Sequence, residues 1–143
     1  MTELLRPQPE GIPVPNPGRW SAPYWEGCRS GELRVQRCSV CGAVNPKPGV
    51  LCHRCHRRAL VWEASSGLGT LYSWTVVWRP QRPAFQVPYA PAIVALDAGS
   101  FLMSAMVGCT PDELVAGLPV GVEFHALSPE ITLPYFHPLR TSG

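Results

Sequence analysis

Cys38-Ser-Val-Cys41 and Cys52-His-Arg-Cys55 form two Cys-x-x-Cys pairs separated by ten residues. Each pair places two sulfurs on one tight turn, and a short spacer lets the turns face each other. Four thiolates at that spacing can surround one metal ion, and an all-sulfur tetrahedral set favours zinc in a closed, structural site. Cys38, Cys41, Cys52 and Cys55 are therefore the candidate metal ligands, with iron in the same four-sulfur geometry as the rival. A redox dithiol needs one such pair, not two. Cys52-His-Arg-Cys-His56 also fits the covalent haem pattern. That reading would strand Cys38 and Cys41, and it implies export that the N-terminus does not support. His53 and His56 read as surface or supporting groups.

The elements that must hold these cysteines come from a chain of 143 residues, 45% hydrophobic and 15% charged, with a formal net charge of +2. This is a folded-protein composition, long enough for a metal-stapled module beside one compact domain. The charge is too small to demand a polyanionic partner. Residues 1–18 hold five prolines (Pro7, Pro9, Pro13, Pro15 and Pro17) and no apolar stretch of a signal peptide, and no later run has membrane length. The expectation is a cytoplasmic protein without membrane attachment. In that setting paired cysteines bind metal more often than they form disulfides. Cys28 and Cys109, left over, read as buried reduced thiols.

The proline-rich arm over 1–18 reads as extended or disordered, free to wrap a partner. An aromatic helix is expected over 19–32, with Ser21 as cap, Pro23 in the first turn and Gly31 as stop. It carries Trp20, Tyr24 and Trp25, and a helix so short must pack on its own domain, the preferred choice, or on another chain. A ribbon is expected over 33–66, from a strand at Leu33–Arg37 to a returning strand at Leu60–Trp62. From Gly67 the pattern turns to strands. Leu68–Trp78 reads as one strand with Leu68, Tyr72, Trp74, Val76 and Trp78 sharing a face. Pro80, Pro83, Pro88 and Pro91 make a long loop, a length usually reserved for function. Two strands flank the turn Asp97–Ser100. Thr110-Pro-Asp-Glu113 is a capping box opening a brief helix. Val120–Ala126 follows as a strand, then Ile131–Phe136, which Pro134 demotes towards a sheet edge. Five strands with a short helix between the third and fourth is the order of an OB-type Greek-key barrel over 67–138, leaving a tail at 139–143. The fold class is thus mainly β: an N-terminal helix and a rubredoxin-like ribbon, then a five-stranded barrel.

Chemistry beyond the cysteines is sparse. There is no phosphate loop, no Gly-x-Ser-x-Gly and no His-Glu-x-x-His; Glu63, Asp97, Glu123 and Glu130 are scattered, and His125 reads as a half-exposed strand residue. Lys47, Arg54, Arg57 and Arg58 make the ribbon tip basic, as a solvated face or a docking patch. Residues 92–107 carry no Lys or Arg, whereas a groove that tracks a nucleic-acid backbone needs them, so nucleic acid is disfavoured as partner.

One arrangement of motifs is far more specific than four cysteines: Pro23-Tyr-Trp-Glu-Gly27, Gly31-Glu-Leu33, Arg37-Cys-x-x-Cys-Gly42, Cys52-x-x-Cys55, Trp62, Ser66-Gly-Leu-Gly-Thr-Leu-Tyr-Ser73, Pro88-Tyr89 and Pro134-Tyr-Phe-His-Pro138. From about Trp20 to Pro138 the chain resembles the acyl-CoA-associated zinc-ribbon/OB-fold proteins, the family of domain of unknown function thirty-five. The resemblance implies a non-catalytic accessory subunit of a thiolase-superfamily enzyme, with a thiolase-like or lipid-transfer-protein-like aldolase partner, possible use in steroid side-chain degradation, structural zinc and contact with a CoA ester. The hydratase domain fused to some members has no counterpart in this chain. On that reading the Pro80–Pro91 loop joins the aromatic helix (Trp20, Tyr24, Trp25) at the partner or CoA surface, and Arg79 and Arg82 become candidates for a CoA phosphate, against the plainer reading of two solvated arginines. The alternatives are a stand-alone acyl-CoA binder and a nucleic-acid-binding ribbon–barrel module.

Overall fold

The computed structural model describes residues 3–140; positions 1–2 and 141–143, at the ends of the expected arm and tail, lie outside the described residues. One helix, α1 (Ala22–Arg29), precedes eight strands: β1 (Arg34–Cys38), β2 (Val44–Asn45), β3 (Leu60–Ala64), β4 (Leu68–Trp74), β5 (Ala90–Leu96), β6 (Phe101–Met106), β7 (Pro119–Ala126) and β8 (Thr132–Pro138). A single 3-10 turn at Pro111–Glu113 lies between β6 and β7. The first three strands form an antiparallel ribbon in the order β2-β1-β3, and the last five close into a barrel in the order β4-β5-β6-β8-β7. With β4 also paired to β7, this is the closed five-stranded OB topology.

Alternation along the strands decides what lies inside. In β5 every second residue, Ala90, Ala92, Val94 and Leu96, is buried, which leaves Pro91, Ile93 and Ala95 on the outer wall. Phe136, Leu71, Met106 and Val120 fill the interior with them. The turn after β5 closes as read from the sequence, with Leu96 N–H donating to the Ser100 carbonyl (2.8 Å). In the capping box the Glu113 carboxylate accepts from Thr110 N–H (2.7 Å), which satisfies a donor the short turn leaves open.

Three expectations change. Leu68–Trp78 is not one strand with an even-numbered face. The β4–β5 register shifts between Leu71 and Ser73, so Tyr72 is an extra residue that stands 62% exposed, while Leu71 is buried in the core and Trp74 packs against it. A one-residue bulge reverses the facing of everything after it. β8 is not an edge either, because it pairs along its whole length with β7 and meets β6 in parallel at Met106 and Phe136. Pro134 is tolerated because its carbonyl points to the β6 side, where Ser104 Oγ–H donates to it (2.9 Å). Its missing N–H therefore falls in the seam where β6 and β8 share one register pair. Finally, the arm is extended but bound to its own domain. Leu5 N–H donates to the Cys109 carbonyl (2.8 Å) and Gly108 N–H returns a bond to Leu5 (2.9 Å). Leu5 is 1% exposed, and Ile12 is buried.

Gly69 tests how tightly the barrel closes. A Cβ there would stand 2.4 Å from the Ala95 carbonyl oxygen and 2.9 Å from a Val94 methyl. The obstacle is backbone of the paired strand, so it cannot swing aside. Gly69→Ala is expected to lower stability by about 1–3 kcal/mol, read as a lower urea midpoint at unchanged slope; an unchanged midpoint would mean the β4–β5 seam yields freely.

Candidate metal centre and barrel-face cleft

Two tight turns bring the cysteines together. The first follows β1, with Gly42 N–H donating to the Cys38 carbonyl; the second repeats it, with His56 N–H donating to the Cys52 carbonyl, each at 2.9 Å. The residue after the second cysteine of each pair must then adopt positive φ: Gly42 at 79° and His56 at 64°. The four sulfurs lie within 4.8 Å of one another, with Cys38 to Cys55 at 3.5 Å and Cys41 to Cys52 at 3.6 Å. Cys38 and Cys52 are buried, and Cys41 and Cys55 half-buried.

Neighbouring donors prepare this cluster for ionisation. The Cys52 thiol is pushed down to about 5, first by the Cys55 backbone N–H, with the Asn45 amide and the Arg54 N–H adding to it against burial. Cys38 is lowered as well, chiefly by the Cys41 N–H. Cys55 receives the Arg57 N–H, yet burial and its three sulfur neighbours push it up to about 11. Four sulfurs this close cannot all carry charge without a counter-ion, and a divalent metal removes that obstacle by binding all four as thiolates. The donor set fits a metal ion such as zinc.

Two buried amides that the sequence reading passed over hold the turns in place. Asn45 Oδ1 accepts from His53 N–H (2.7 Å), while its Nδ2 lies 3.6 Å from Cys52 Sγ. Gln36 exchanges two bonds with Gly49, at 2.9 and 3.1 Å, and pins the loop between the cysteine pairs. Arg37 bonds Glu63 on β3 (2.7 Å), the Gly42 carbonyl (2.9 Å) and the Ala98 carbonyl in the barrel's β5–β6 turn (3.2 Å). Lys47, His53, Arg54, His56, Arg57 and Arg58 are all exposed at the ribbon tip. Cys28 and Cys109 are buried, and burial raises both thiols to about 11.

The second feature is a cleft on the outer wall of the barrel. An OB barrel binds ligands over its second and third strands, between the first–second and fourth–fifth loops. Here those strands are β5 and β6. Ala84 and Phe85 of the first loop meet Leu127 and Ile131 of the second in one apolar cluster, together with Ile12 of the arm and Trp25 of α1. Arm and helix thus roof the face, and what remains is a cleft of about 300 Å³. Tyr24 and Trp25 line it from α1, Phe85 and Tyr89 from the proline loop, and Met103 and Tyr135 from the barrel. The aromatic helix and the proline loop, far apart in sequence, therefore share one site. Trp20 stays outside it, 49% exposed, beneath the Arg19 guanidinium at 4.8 Å. Arg79 and Arg82 are exposed on the loop and are not part of the cleft wall. Ser21 begins the helix without its hydroxyl capping it; its Oγ accepts from Gly18 N–H instead (3.0 Å).

Beside the cleft, next to Tyr135, Glu123 lies between His125 Nε2 and His137 Nδ1, the latter at 2.8 Å. The sequence reading left Glu123 and His125 unpaired and did not single out His137; alternate positions on β7 and a diagonal neighbour on β8 bring them together.

A ribbon with four clustered thiols, joined to a closed OB barrel, defines a small known class of two-part proteins. Residues 62–125 match the family described as ChsH2, C-terminal OB-fold domain. A solved chain described as the Ltp2-ChsH2(DUF35) aldolase is 34% identical, with a TM-score of 0.80 over 87% of this chain and 98% of that one. A probable enoyl-CoA hydratase alpha subunit of Thermomonospora curvata is 34% identical over 96% of this chain and 43% of its own length. The 3-oxo-4,17-pregnadiene-20-carboxyl-CoA hydratase alpha subunit of Mycobacterium tuberculosis is 30% identical over 78% of this chain and 36% of its own. The chain therefore spans less than half the length of these two curated relatives. It belongs to the DUF35 family.

Two outcomes test the centre. Between 9.0 and about 5 the folded chain holds fewer protons on Cys52 than the unfolded chain does, so stability from this group grows as pH rises through that window and is lost as pH falls through its lower end. Metal ligation acts in the same direction. Acidification of the metal-loaded protein is expected to release metal and to collapse the ribbon amide signals before those of the barrel, followed by a colorimetric metal indicator and amide NMR spectra; simultaneous loss of both would contradict it. His56→Gly relieves the left-handed strain of a side chain and is expected to raise stability by about 1 kcal/mol, measured by thermal unfolding of the metal-loaded form.

Proposed function

We propose that the chain is a non-catalytic accessory subunit of a thiolase-superfamily enzyme that acts on acyl-CoA thioesters, with a lipid-transfer-protein-like aldolase as the first choice of partner. The observation that carries this reading is the likeness, over nearly its whole length, to the DUF35 chain of the Ltp2-ChsH2 aldolase. The names of the two hydratase subunits support a setting in CoA-ester metabolism, and one of them supports a steroid side chain as substrate. Zinc held by Cys38, Cys41, Cys52 and Cys55 is structural on this reading: all four protein ligands are sulfur, which leaves no open position for substrate. Reduced thiols fit a cytoplasmic setting. Trp20 and the exposed loop arginines Arg79 and Arg82 are the residues we assign to partner or CoA contact.

The site chemistry agrees with an accessory role. The cleft is walled by aromatic and aliphatic side chains, and the Glu123–His125–His137 group lacks a nucleophile among its hydrogen-bond partners. The face by which OB barrels bind nucleic acid is roofed by the chain's own arm and helix, which weighs against that alternative.

Co-expression with a lipid-transfer-protein-like aldolase from the same organism is the direct test. The two are expected to co-elute in size exclusion, and carbon–carbon cleavage of an acyl-CoA substrate is expected to fall at least tenfold without this chain. An aldolase that is soluble and equally active alone would overturn the proposal.

A further inference from the structure

The roofed cleft carries an inference that does not depend on any enzyme partner. Its wall is apolar apart from Arg6, Gln8 and Ser104, and Arg6 is the one charged residue in it. Among the described residues Arg6 has no hydrogen bond or ion pair. The arm fixes where this cation stands. One residue earlier along the arm, Leu5 is held by its paired backbone bonds to Gly108 and Cys109. On the other side, Gln8 N–H donates to the Tyr135 hydroxyl (3.0 Å), and the Gln8 side chain exchanges bonds with the Gln86 backbone at 2.8 and 3.0 Å. Arg6 is thus carried between two anchors at the edge of an apolar hollow. Tyr135 accepts through its oxygen and keeps its proton to donate; burial, which raises its pKa, keeps it protonated. A second hollow of about 210 Å³ on the same wall shares Pro91 and Met103 with the cleft. The surface is therefore an apolar track with a cation at one part of it, and a pocket of this volume and lining is of small-ligand size.

We propose that this cleft binds an elongated apolar carboxylic acid, its hydrocarbon lying along Met103, Phe85 and Trp25 and its carboxylate meeting Arg6. Charge complementarity selects the acid. Arg6 is exposed at the rim of the cleft and also borders a small polar hollow with Glu3, but it forms no ion pair among the described residues. A solvent-facing guanidinium at the end of an apolar wall is matched by one anionic group on an apolar body.

The probe is laurate, titrated below its micellar concentration into the metal-loaded full chain, with methyl laurate as the uncharged control. Calorimetry and amide NMR spectra are expected to show saturable binding of laurate, with shifts confined to the arm around Arg6 and Gln8, α1, the proline loop, β5 around Pro91, β6 and β8. Arg6→Gln is expected to weaken laurate about tenfold, the size of one charge-assisted hydrogen bond, and to leave methyl laurate unchanged. Ala105→Trp, on the outer wall opposite Pro91, fills the cleft and is expected to abolish binding of both while the spectrum stays dispersed. Absence of saturable laurate binding, equal laurate affinity in Arg6→Gln, or binding that survives in a folded Ala105→Trp would each overturn the proposal. None of these outcomes bears on co-elution with an aldolase, so the two readings fail separately.

Discussion

The ribbon has no core of its own, and that constraint shapes the whole molecule. Its buried apolar residues, Leu33, Val35 and Val44, belong to the same cluster as the barrel's Leu71, Val94, Met106 and Phe136. A module of this size cannot bury enough surface to fold by packing alone. It is held instead by two devices at opposite ends: four sulfurs at the tip and the barrel wall at the base. Arg37 joins them, since one guanidinium bonds the first cysteine turn, the facing strand and the barrel's β5–β6 turn. A metal ion bound by the four sulfurs would therefore steady a surface that the barrel alone would leave loose.

Barrel closure poses the opposite problem, because every strand must find two neighbours. The two irregularities sit where closure allows them. The bulge at Tyr72 lies in β4, where the register shift lets the strand bend and turns Trp74 inward. Pro134 lies where β6 and β8 have almost parted, and Ser104 supplies the bond that a ladder would otherwise make. Because no edge is left in this barrel, a binding role falls to its outer wall. The arm and α1 have claimed part of that wall, and the remainder is the cleft.

How much of this was legible follows from what kind of signal each part leaves. The cysteine spacing and the order of five strands with a short turn between the third and fourth are local patterns, and both hold in the structure. The bulge at Tyr72 and the place of Pro134 are pairing properties; periodicity along one strand carries no record of its neighbour's register. The anchoring of the arm through Leu5, Gln8 and Ile12 is likewise invisible to composition, since proline density reports what a segment cannot pair with inside itself, not which carbonyls it can borrow. Asn45 and Gln36 were missed because a single amide gives no pattern. Their role appears only once the second cysteine turn folds back on the first.

The distribution of charge and exposed apolar surface completes the argument for a protein that works through its surfaces. Lys47, Arg54, Arg57 and Arg58 are exposed at the ribbon tip and Arg79 and Arg82 on the proline loop, with Arg6, Arg19, Arg29 and Arg140 exposed elsewhere. The outer wall of the barrel instead shows Tyr72 and Phe101 in edge-to-face contact at 4.9 Å, and Met103 at 74% exposure. A bulge that turns an aromatic ring outward, beside a second ring on the same sheet, leaves burial unrealised in the isolated chain. Scattered apolar residues need no explanation, but a cluster on one wall, continuous with an apolar cleft through Met103, is the kind of surface that becomes covered in an assembly. Strands β5 and β6 on this wall carry no Lys or Arg, whereas a phosphate backbone would require cations along its path. A closed barrel presenting an apolar wall, with its ribbon joined to the β5–β6 turn through Arg37, suits the proposed accessory role, in which the chain contributes shape and shelter rather than bond-making groups.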